Sequence, residues 1–336
     1  MGLVLLTALA LAVVTFAADV LLVIFGGVLL GVFFRGSANL LNDRTRLSPK
    51  MALGIVFLLF FGGAILALWL IAAEVSQQLD QLGTNLKDAW LQLQERLRSE
   101  PWGRQLLGSV RVGQSGGEDA EAMSPFARAF STTLGGLTNL LIILFLGIYF
   151  AVNPSWYRRG LLRLIPPAQR DRAAEILDAI GHMLRWWLLG RAISMLIVGI
   201  VTGVGLALLG VPLALGLGFL AGAFDFVPFI GPLAAAAPGI LLSVSEGVNQ
   251  AMYVAAFYAA VQLIEGYLLT PLVEQRSVKL PPALTIASQV LLGVLVGALG
   301  VVFATPLLAV LVIIVKKLYV EDALEHRSTS ASDGVT

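Results

Sequence analysis

The chain contains 336 residues, of which 58% are hydrophobic and only 13% are charged, whereas roughly a quarter of an average soluble domain is charged. The formal net charge is +1 and there is no cysteine, which excludes disulfides and thiolate metal sites. Several apolar runs exceed the roughly 20 residues that a helix needs to cross a bilayer, and they lack the alternation of barrel strands. We therefore predict an all-α, polytopic membrane protein. Its two histidines, His182 and His326, lie far apart in sequence without a metal-ligand spacing, so no metal and no cofactor are expected.

The first apolar stretch, residues 3–34, is interrupted by Asp19 and fits either a hairpin of two short helices or one long tilted helix. It lacks the basic n-region of a secretory signal, so we interpret it as a retained membrane segment. The loop at 35–50 carries four basic residues against one acid, which predicts a cytoplasmic location. A hairpin would bring the N terminus to that side too. With a clean span at 51–73, these segments form an N-terminal membrane region, residues 1–73.

Residues 74–128 form a polar, acidic segment that we predict to be an extracytoplasmic insertion. Apolar residues recur within it at steps of three and four between Val75 and Leu97, which is the spacing of one amphipathic helix face. That face must be covered, and two interpretations stay open. It packs against its own subunit or the membrane surface, or it forms a coiled-coil-like seam between subunits.

Residues 129–152 return the chain as a span to the cytoplasmic side, where residues 153–182 form a basic linker. Pro166-Pro167 predicts the start of a short amphipathic helix within this linker. Five arginines beside two spans are typical of topology determinants and lipid contacts, so we expect the lipid bilayer, and no nucleic acid, as their partner. They are Arg158, Arg159, Arg163, Arg170 and Arg172.

Two later apolar stretches, residues 213–244 and 283–315, are each too long for one span. The charges on the flanking loops predict that each stretch begins and ends on the same side, so each is a helical hairpin. The first would enter from outside with its tip at 228–232, and the second from inside with a break near 297–300. Broken helices that enter from opposite sides form an inverted repeat around the binding site in several secondary transporters. The chain would then have about eight membrane segments.

Residues 183–315 thus form the candidate transport region, before a polar cytoplasmic tail at 316–336. Ionisable and amide side chains are costly at membrane depth and therefore mark candidate sites. In this region they are Asp225, Gln262, Glu265, Arg191 and Gln289. The break of the first hairpin adds Pro228, Gly231 and Pro232 to the candidate substrate or ion pathway.

Each of these side chains also has a structural interpretation. Asp225 could cap the helix break or lie near the interface. Gln262 and Glu265 lie three residues apart and share a helix face, which also suits a structural hydrogen bond to the neighbouring hairpin. Arg191 could be the countercharge of either acid or could extend toward the cytoplasmic surface, and Gln289 could face another helix.

Several sequence blocks follow one another in a familiar order. They are Asp225-Phe226-Val227-Pro228-Phe229-Ile230-Gly231-Pro232, Glu265-Gly266-Tyr267-Leu268-Leu269-Thr270-Pro271, Arg276-Ser277-Val278-Lys279-Leu280-Pro281-Pro282, Gly297-Ala298-Leu299-Gly300 and Ala304-Thr305-Pro306-Leu307. Together they resemble the family of autoinducer-2 exporter-type permeases (AI-2E family transporters). The resemblance implies a secondary transporter that exports a small polar solute by alternating access, with autoinducer-2 as one candidate solute. We expect a homo-oligomer in the bacterial inner membrane, with both termini cytoplasmic.

Two other functions stay open at this point. In a sodium/proton antiporter, Asp225 or Glu265 would exchange a proton for a sodium ion. In a non-transporting membrane scaffold, residues 74–128 would recruit partners. No feature indicates an enzyme, since there is no glycine-rich loop that ends in Lys-Ser or Lys-Thr to bind a nucleotide.

Overall fold

The computed structural model describes residues 2–75, 133–271 and 280–318. Within these ranges the chain is helical apart from short turns and contains no strand, which confirms the all-α class. The helices are α1 (Gly2–Thr45), α2 (Pro49–Val75), α3 (Thr133–Val152), α4 (Pro154–Arg163), α5 (Arg170–Leu208), α6 (Ala214–Phe224), α7 (Ile230–Glu246), α8 (Val248–Ile264), α9 (Pro282–Val296) and α10 (Ala298–Val315). Most of the predicted insertion at 74–128 lies outside the described residues.

Five helices of the described part are long and apolar enough to cross a bilayer over at least part of their length. A sixth span is present if Thr138–Val152 is counted together with Pro154–Arg163, the helix that follows it after a bend. The protein is therefore a multi-pass membrane protein, while the number of about eight segments stays a prediction.

The first apolar stretch forms one continuous helix, α1, which has no break at Asp19. The hairpin considered for residues 3–34 is therefore wrong, and the argument that brought the N terminus to the side of residues 35–50 is lost with it. Leu and Ala are strong helix formers, and a single acid among them does not end a helix. Asp19 also has a polar neighbour, because it lines a groove of about 320 Å³ with Asn139 of α3.

The connection between α1 and α2 is much shorter than predicted, because α1 continues to Thr45. Arg46 turns the chain with φ = 56°, and Pro49 opens α2, where its restricted φ suits a first helical turn. The Ser48 hydroxyl accepts a hydrogen bond from the Met51 N–H at 3.3 Å and so caps the helix. The basic residues of this region therefore lie on and around the end of a helix.

The predicted amphipathic helix after Pro166-Pro167 and the span that follows it are one helix, α5. A single 3-10 turn, Pro167–Gln169, leads into α5, which runs unbroken from Arg170 to Leu208. No proline lies between these residues, and isolated glycines such as Gly181 are tolerated inside a helix. The basic linker does contain a separate short helix, but it is α4, which is bent by 88° from α3.

The helices divide into two compact units. The first contains the described parts of Met1–Phe60, Asn139–Ala192 and Thr270–Thr336, and the second contains those of Phe61–Thr138 and Ile193–Leu269. We call the pair α6 and α7 hairpin A and the pair α9 and α10 hairpin B. Hairpin A belongs to the second unit and hairpin B to the first.

In the first unit, α1 and α3 run side by side in the same direction. A Cβ built on Gly27 would lie 2.5 Å from Leu146, and one built on Gly31 would lie 2.6 Å from Phe150. The helices therefore touch where α1 carries glycine, as is common between membrane helices. The end of α3 lies beside the C-terminal third of α1, where Ala151 shares a buried cluster with Phe34 and Ala38.

Three basic segments meet at this end of the first unit. The end of α1 carries the first, and α4 with the start of α5 carries the second. The Arg158 guanidinium of α4 forms an ion pair with Asp178 of α5 at 2.7 Å. Arg172 of α5 donates a hydrogen bond to the Lys317 carbonyl at 2.9 Å, which brings in the end of α10. The predicted grouping of the basic segments is thus present, and the side of the membrane stays a prediction.

In the second unit, α5 and α6 pack against each other through glycines. A Cβ built on Gly218 would lie 2.5 Å from the Cα of Gly203, and one built on Gly222 would lie 3.1 Å from the Cα of Gly199. Each helix thus carries two glycines four residues apart, the spacing that lets membrane helices approach backbone to backbone. Hairpin A is held against α5 by this contact.

Candidate functional site

Hairpin A is broken where the sequence predicts it. Helix α6 ends at Phe224 and α7 begins at Ile230. Of the predicted tip residues, Pro228 lies in the break, and Gly231 and Pro232 lie in the first turn of α7. At 1.5 Å per residue, the 11 residues of α6 extend only about 17 Å, roughly half of the hydrocarbon thickness. Helix α6 is therefore too short to cross a bilayer alone.

The two helices of hairpin A pack antiparallel. Ala221 near the end of α6 shares a buried cluster with Ala235 near the start of α7, whereas Leu217 shares one with Leu242 farther along α7. At the tip, a Cβ built on Gly231 would lie 1.8 Å from the Phe224 carbonyl oxygen. The chain thus turns back on itself at the break, and only glycine fits at the closest approach.

The turn at the tip is strained. Phe229 has φ = 66° and ψ = −59°, and the Ile230 N–H donates a hydrogen bond to the Pro228 carbonyl at 2.8 Å. These values define a γ-turn with a positive central φ, the rarer and more strained of the two forms. Strained backbone of this kind is concentrated at functional sites and switch regions.

Replacing Phe229 with glycine should stabilise the protein. Glycine adopts a positive φ without strain, so Phe229→Gly removes about 1–3 kcal/mol of strain and loses about 1 kcal/mol to backbone entropy. The control is Phe229→Ala, which removes the ring but keeps the strain. Thermal unfolding in detergent should place the midpoint of Phe229→Gly a few degrees above that of Phe229→Ala. Equal midpoints would mean that the turn relaxes without glycine.

Asp225 lies at the start of the break and is fully buried. It occupies the C-cap position of α6, as one of the structural interpretations had it. A carboxylate does not stabilise a helix C terminus, however, because the partial charge there is also negative. Capping therefore does not explain why an acid is present. A carboxylate is costly at membrane depth and is found there mostly at functional sites, so Asp225 stays a candidate site residue.

Glu265 lies where α8 changes its winding. The residues Glu265–Leu269 form a π-helical segment, a feature that is often found at functional sites. The Glu265 side chain is only 4% exposed, and its Oε2 accepts a hydrogen bond from Gln262 Nε2 at 3.3 Å. The prediction that these two residues share a helix face is confirmed. Gln262 itself is exposed, so it links the buried acid to the outside of the unit.

The end of α8 packs against the tip region of hairpin A. Val261 and Leu269 belong to the same hydrophobic cluster as Ala221, Phe224 and Ala235. Glu265 lies four residues from each of the first two, and it is buried, as Val261 is. The second unit therefore brings both acids that were predicted from the sequence to the same region, around the break.

Hairpin B contains the amide of the predicted set. Helices α9 and α10 are joined at Gly297, which has φ = 70° and ψ = −148°, a conformation that is essentially restricted to glycine. Gln289 is fully buried, and its Nε2 donates a hydrogen bond to Thr305 Oγ1 across the hairpin at 3.4 Å. Thr305 precedes Pro306 inside α10. The break falls within the predicted range, and Gln289 faces another helix, as the structural interpretation proposed.

Arg191 lies in the first unit, on α5, and its side chain is buried. Its Nε has no exposed surface. Burial disagrees with a side chain that extends to the cytoplasmic surface, because the guanidinium would then be exposed to water. Arg191 therefore keeps its charge within the protein.

Three features of the site have no counterpart in the sequence prediction. They are the γ-turn at Phe229, the π-helical segment after Ile264 and Thr305 as the partner of Gln289. The first two are backbone conformations that ordinary apolar residues adopt here. The role of Thr305 could have been predicted from the sequence. A Thr before a Pro within an apolar span places a hydroxyl close to the point where a backbone hydrogen bond is missing.

These features together define a class of protein. Long apolar helices cross the membrane, two hairpins are each broken near an apolar midpoint, and buried acids lie around one of the breaks. Membrane transporters that bind their substrates at discontinuous helices have this construction. The protein is thus a helical permease.

The chain belongs to the AI-2E transporter family, whose description is "AI-2E family transporter" and whose pattern matches residues 3–319. It is 25% identical to YrrI, a proposed transport protein of Bacillus subtilis (strain 168), over 79% of this chain and 77% of YrrI. It is 31% identical to the AI-2 transport protein TqsA of Escherichia coli (strain K12), over 50% of this chain and 47% of TqsA. The proposed permease PerM of the same strain is 26% identical over 50% of this chain and 48% of PerM. A family of transporters is not an enzyme class.

Proposed function

We propose that this protein is a secondary transporter of the bacterial inner membrane that exports a small polar solute by alternating access. The observation that carries this proposal is the break of hairpin A, with Asp225 fully buried in it and Glu265 buried in the segment whose Val261 and Leu269 pack against the hairpin. Freed backbone groups and buried carboxylates supply hydrogen-bond partners at a depth where lipid supplies none. A polar solute or its coupling ion would replace water at these groups.

The substrate is proposed on the similarity to TqsA, whose name describes AI-2 transport. Autoinducer-2 is therefore the first solute to test. The strained turn at Phe229 supports a moving tip, because strained segments store part of the free energy that separates two states. Hairpin A would then move between two positions during export, and a homo-oligomer would hold the long helices in place.

The test is transport of autoinducer-2 into inverted proteoliposomes that contain the purified full-length protein. We expect Asp225→Asn and Glu265→Gln each to lower the initial rate by about fivefold to 150-fold, because one buried polar contact contributes about 1–3 kcal/mol. The matched control is Asp43→Asn, which changes an acid near the end of α1 that is far from hairpin A in sequence. Thermal unfolding checks that every variant is folded.

Two outcomes would contradict parts of the proposal. If the wild type transports the solute and both site variants match it, the function holds and the site is wrong. If the wild type transports nothing but releases protons when sodium is added, the protein is a cation antiporter. The second outcome is read with a pH-sensitive dye inside the same vesicles.

A further inference from the structure

The short helix α4 presents a surface for which the transport site gives no reason. It follows α3 after a break at Asn153, and the two helix axes differ by 88°. None of its residues is buried. The 20 apolar residues of α3 are enough to cross a bilayer by themselves, and a helix at a right angle to such a span lies roughly parallel to the bilayer plane. Helix α4 therefore extends along the membrane surface at the basic end of the first unit.

One side of α4 is attached to the protein. The Tyr157 ring packs edge-on against Phe150 of α3, with ring centroids 4.6 Å apart. Arg158 forms two hydrogen bonds with the Asp178 carboxylate, at 3.1 and 2.7 Å. These contacts set the rotation of α4 about its own axis. They also use the charge of Arg158 within the protein.

The remaining surface of α4 is exposed and changes from basic to apolar around the helix, with Trp156, Arg159 and Arg163 opposite the contacts and the leucines on the flank of Tyr157. Trp156, Leu161 and Leu164, just past its end, are 68%, 53% and 83% exposed. At 100° per residue, Arg159 and Arg163 lie on one flank of Trp156 and the two leucines on the other. Both arginines are exposed. Large exposed apolar side chains beside arginines are typical of a helix that lies in a membrane interface.

The charges around α4 favour an anionic partner. Arg170 and Arg172 follow in the chain, and Lys317 meets Arg172 at the end of α10. Of the nearby acids, Asp178 and Glu175 are in ion pairs with Arg158 and Arg172, and Asp171 lies between Arg170 and Arg172 in the sequence. An excess of positive charge therefore faces the membrane surface. Arginine binds phosphate through paired hydrogen bonds.

We propose that α4 is a binding surface for the headgroups of anionic phospholipids. Arg159 and Arg163 bind the lipid phosphates, while Trp156, Leu161 and Leu164 enter the boundary of the acyl chains. The occupant is the leaflet into which α3 delivers the chain. This site is independent of the transported solute.

The first test measures how lipids stabilise the full-length protein in a mild detergent. Phosphatidylglycerol should raise the midpoint of thermal unfolding more than phosphatidylcholine does. The double variant Arg159→Gln, Arg163→Gln should lower the apparent affinity for phosphatidylglycerol by at least about tenfold and leave the midpoint without lipid unchanged. The matched control, Arg158→Gln, breaks the ion pair with Asp178, so it lowers the midpoint in both lipids and keeps the difference between them.

The second test locates the apolar flank. The chain has no cysteine, so Leu161→Cys carries a spin label as the one labelled position. In nanodiscs that contain phosphatidylglycerol, we expect the label to be accessible to oxygen and protected from a water-soluble nickel complex. Deleting residues 319–336 should not change this result.

Three results would overturn the proposal. The double variant could keep the full effect of phosphatidylglycerol, or the two lipids could stabilise the wild type equally. The third result would be a spin label at position 161 that neither oxygen nor the nickel complex reaches until residues 319–336 are deleted. The tail of the chain would then be the occupant of this surface. Each result is read on protein that the unfolding curve shows to be folded.

Discussion

Replacing Gly231 with alanine is expected to destabilise hairpin A strongly. The added Cβ would lie 1.8 Å from the Phe224 carbonyl oxygen and 2.7 Å from the carbonyl carbon, far inside van der Waals contact. Because the obstructing atoms are backbone, no rotamer change relieves the clash, and α6 and α7 must separate at the tip. Alanine gains about 1 kcal/mol in helix propensity over glycine, but overpacking of this kind costs about 3 kcal/mol or more.

The measurement is thermal unfolding of the detergent-solubilised protein, together with the transport assay. A loss of about 3 kcal/mol lowers the midpoint by roughly 6 °C or more. The control is Gly136→Ala in α3, where an added Cβ meets nothing within 4 Å, so the midpoint should stay or rise. If the two variants unfold at the same temperature, the close approach at the tip is wrong.

The break in hairpin A was predictable because its cause is local. An acid and two prolines within an apolar run cannot all be satisfied inside a straight membrane helix. The break near Gly297 was predicted in another way, from the charges on the flanking loops, which require residues 283–315 to begin and end on the same side. The partner of Glu265 was predictable too, since residues three apart on a helix share a face.

The features that were not predictable depend on competing contributions to the folding free energy, which the hydrophobic and charge patterns of a sequence do not show. Asp19 interrupts an apolar stretch, yet its cost is small beside the hydrogen bonds of a 44-residue helix. Phe229 adopts a positive φ because the hairpin around it requires a tight turn, and phenylalanine carries no signal for that conformation. At Phe229 the tertiary structure overrides the local preference, whereas at Asp19 the helix propensity of the surrounding residues outweighs one acid.

The continuity of α5 shows the same limit on a larger scale. A change from basic to apolar residues near Met183 predicted the end of one helix and the start of another. Composition changes there because the environment changes, while the backbone continues as a helix from Arg170 to Leu208. A change in charge pattern therefore does not by itself mark a helix boundary.

Hairpin B gives the second large expected effect, from Gly300→Ala. The added Cβ would lie 2.1 Å from the Leu292 carbonyl oxygen and 2.6 Å from its carbonyl carbon, so α9 and α10 must separate near their turn. The hydrogen bond from Gln289 to Thr305 spans the same pair of helices and would be lost with that separation. We expect a loss of about 3 kcal/mol or more, as for other overpacked backbone contacts, and a midpoint lower by roughly 6 °C.

A comparison within hairpin B shows which atoms cause this effect. A Cβ on Gly293 would lie 2.8 Å from a Val301 side-chain methyl. Gly293→Ala should therefore lower the free energy of unfolding less than Gly300→Ala does. Adding Val301→Ala to Gly293→Ala should restore part of that loss. Adding Leu292→Ala to Gly300→Ala should restore nothing, because the nearest obstructing atoms belong to the backbone of Leu292 and remain. Rescue by Leu292→Ala would show that side chains, rather than backbones, set the distance between α9 and α10.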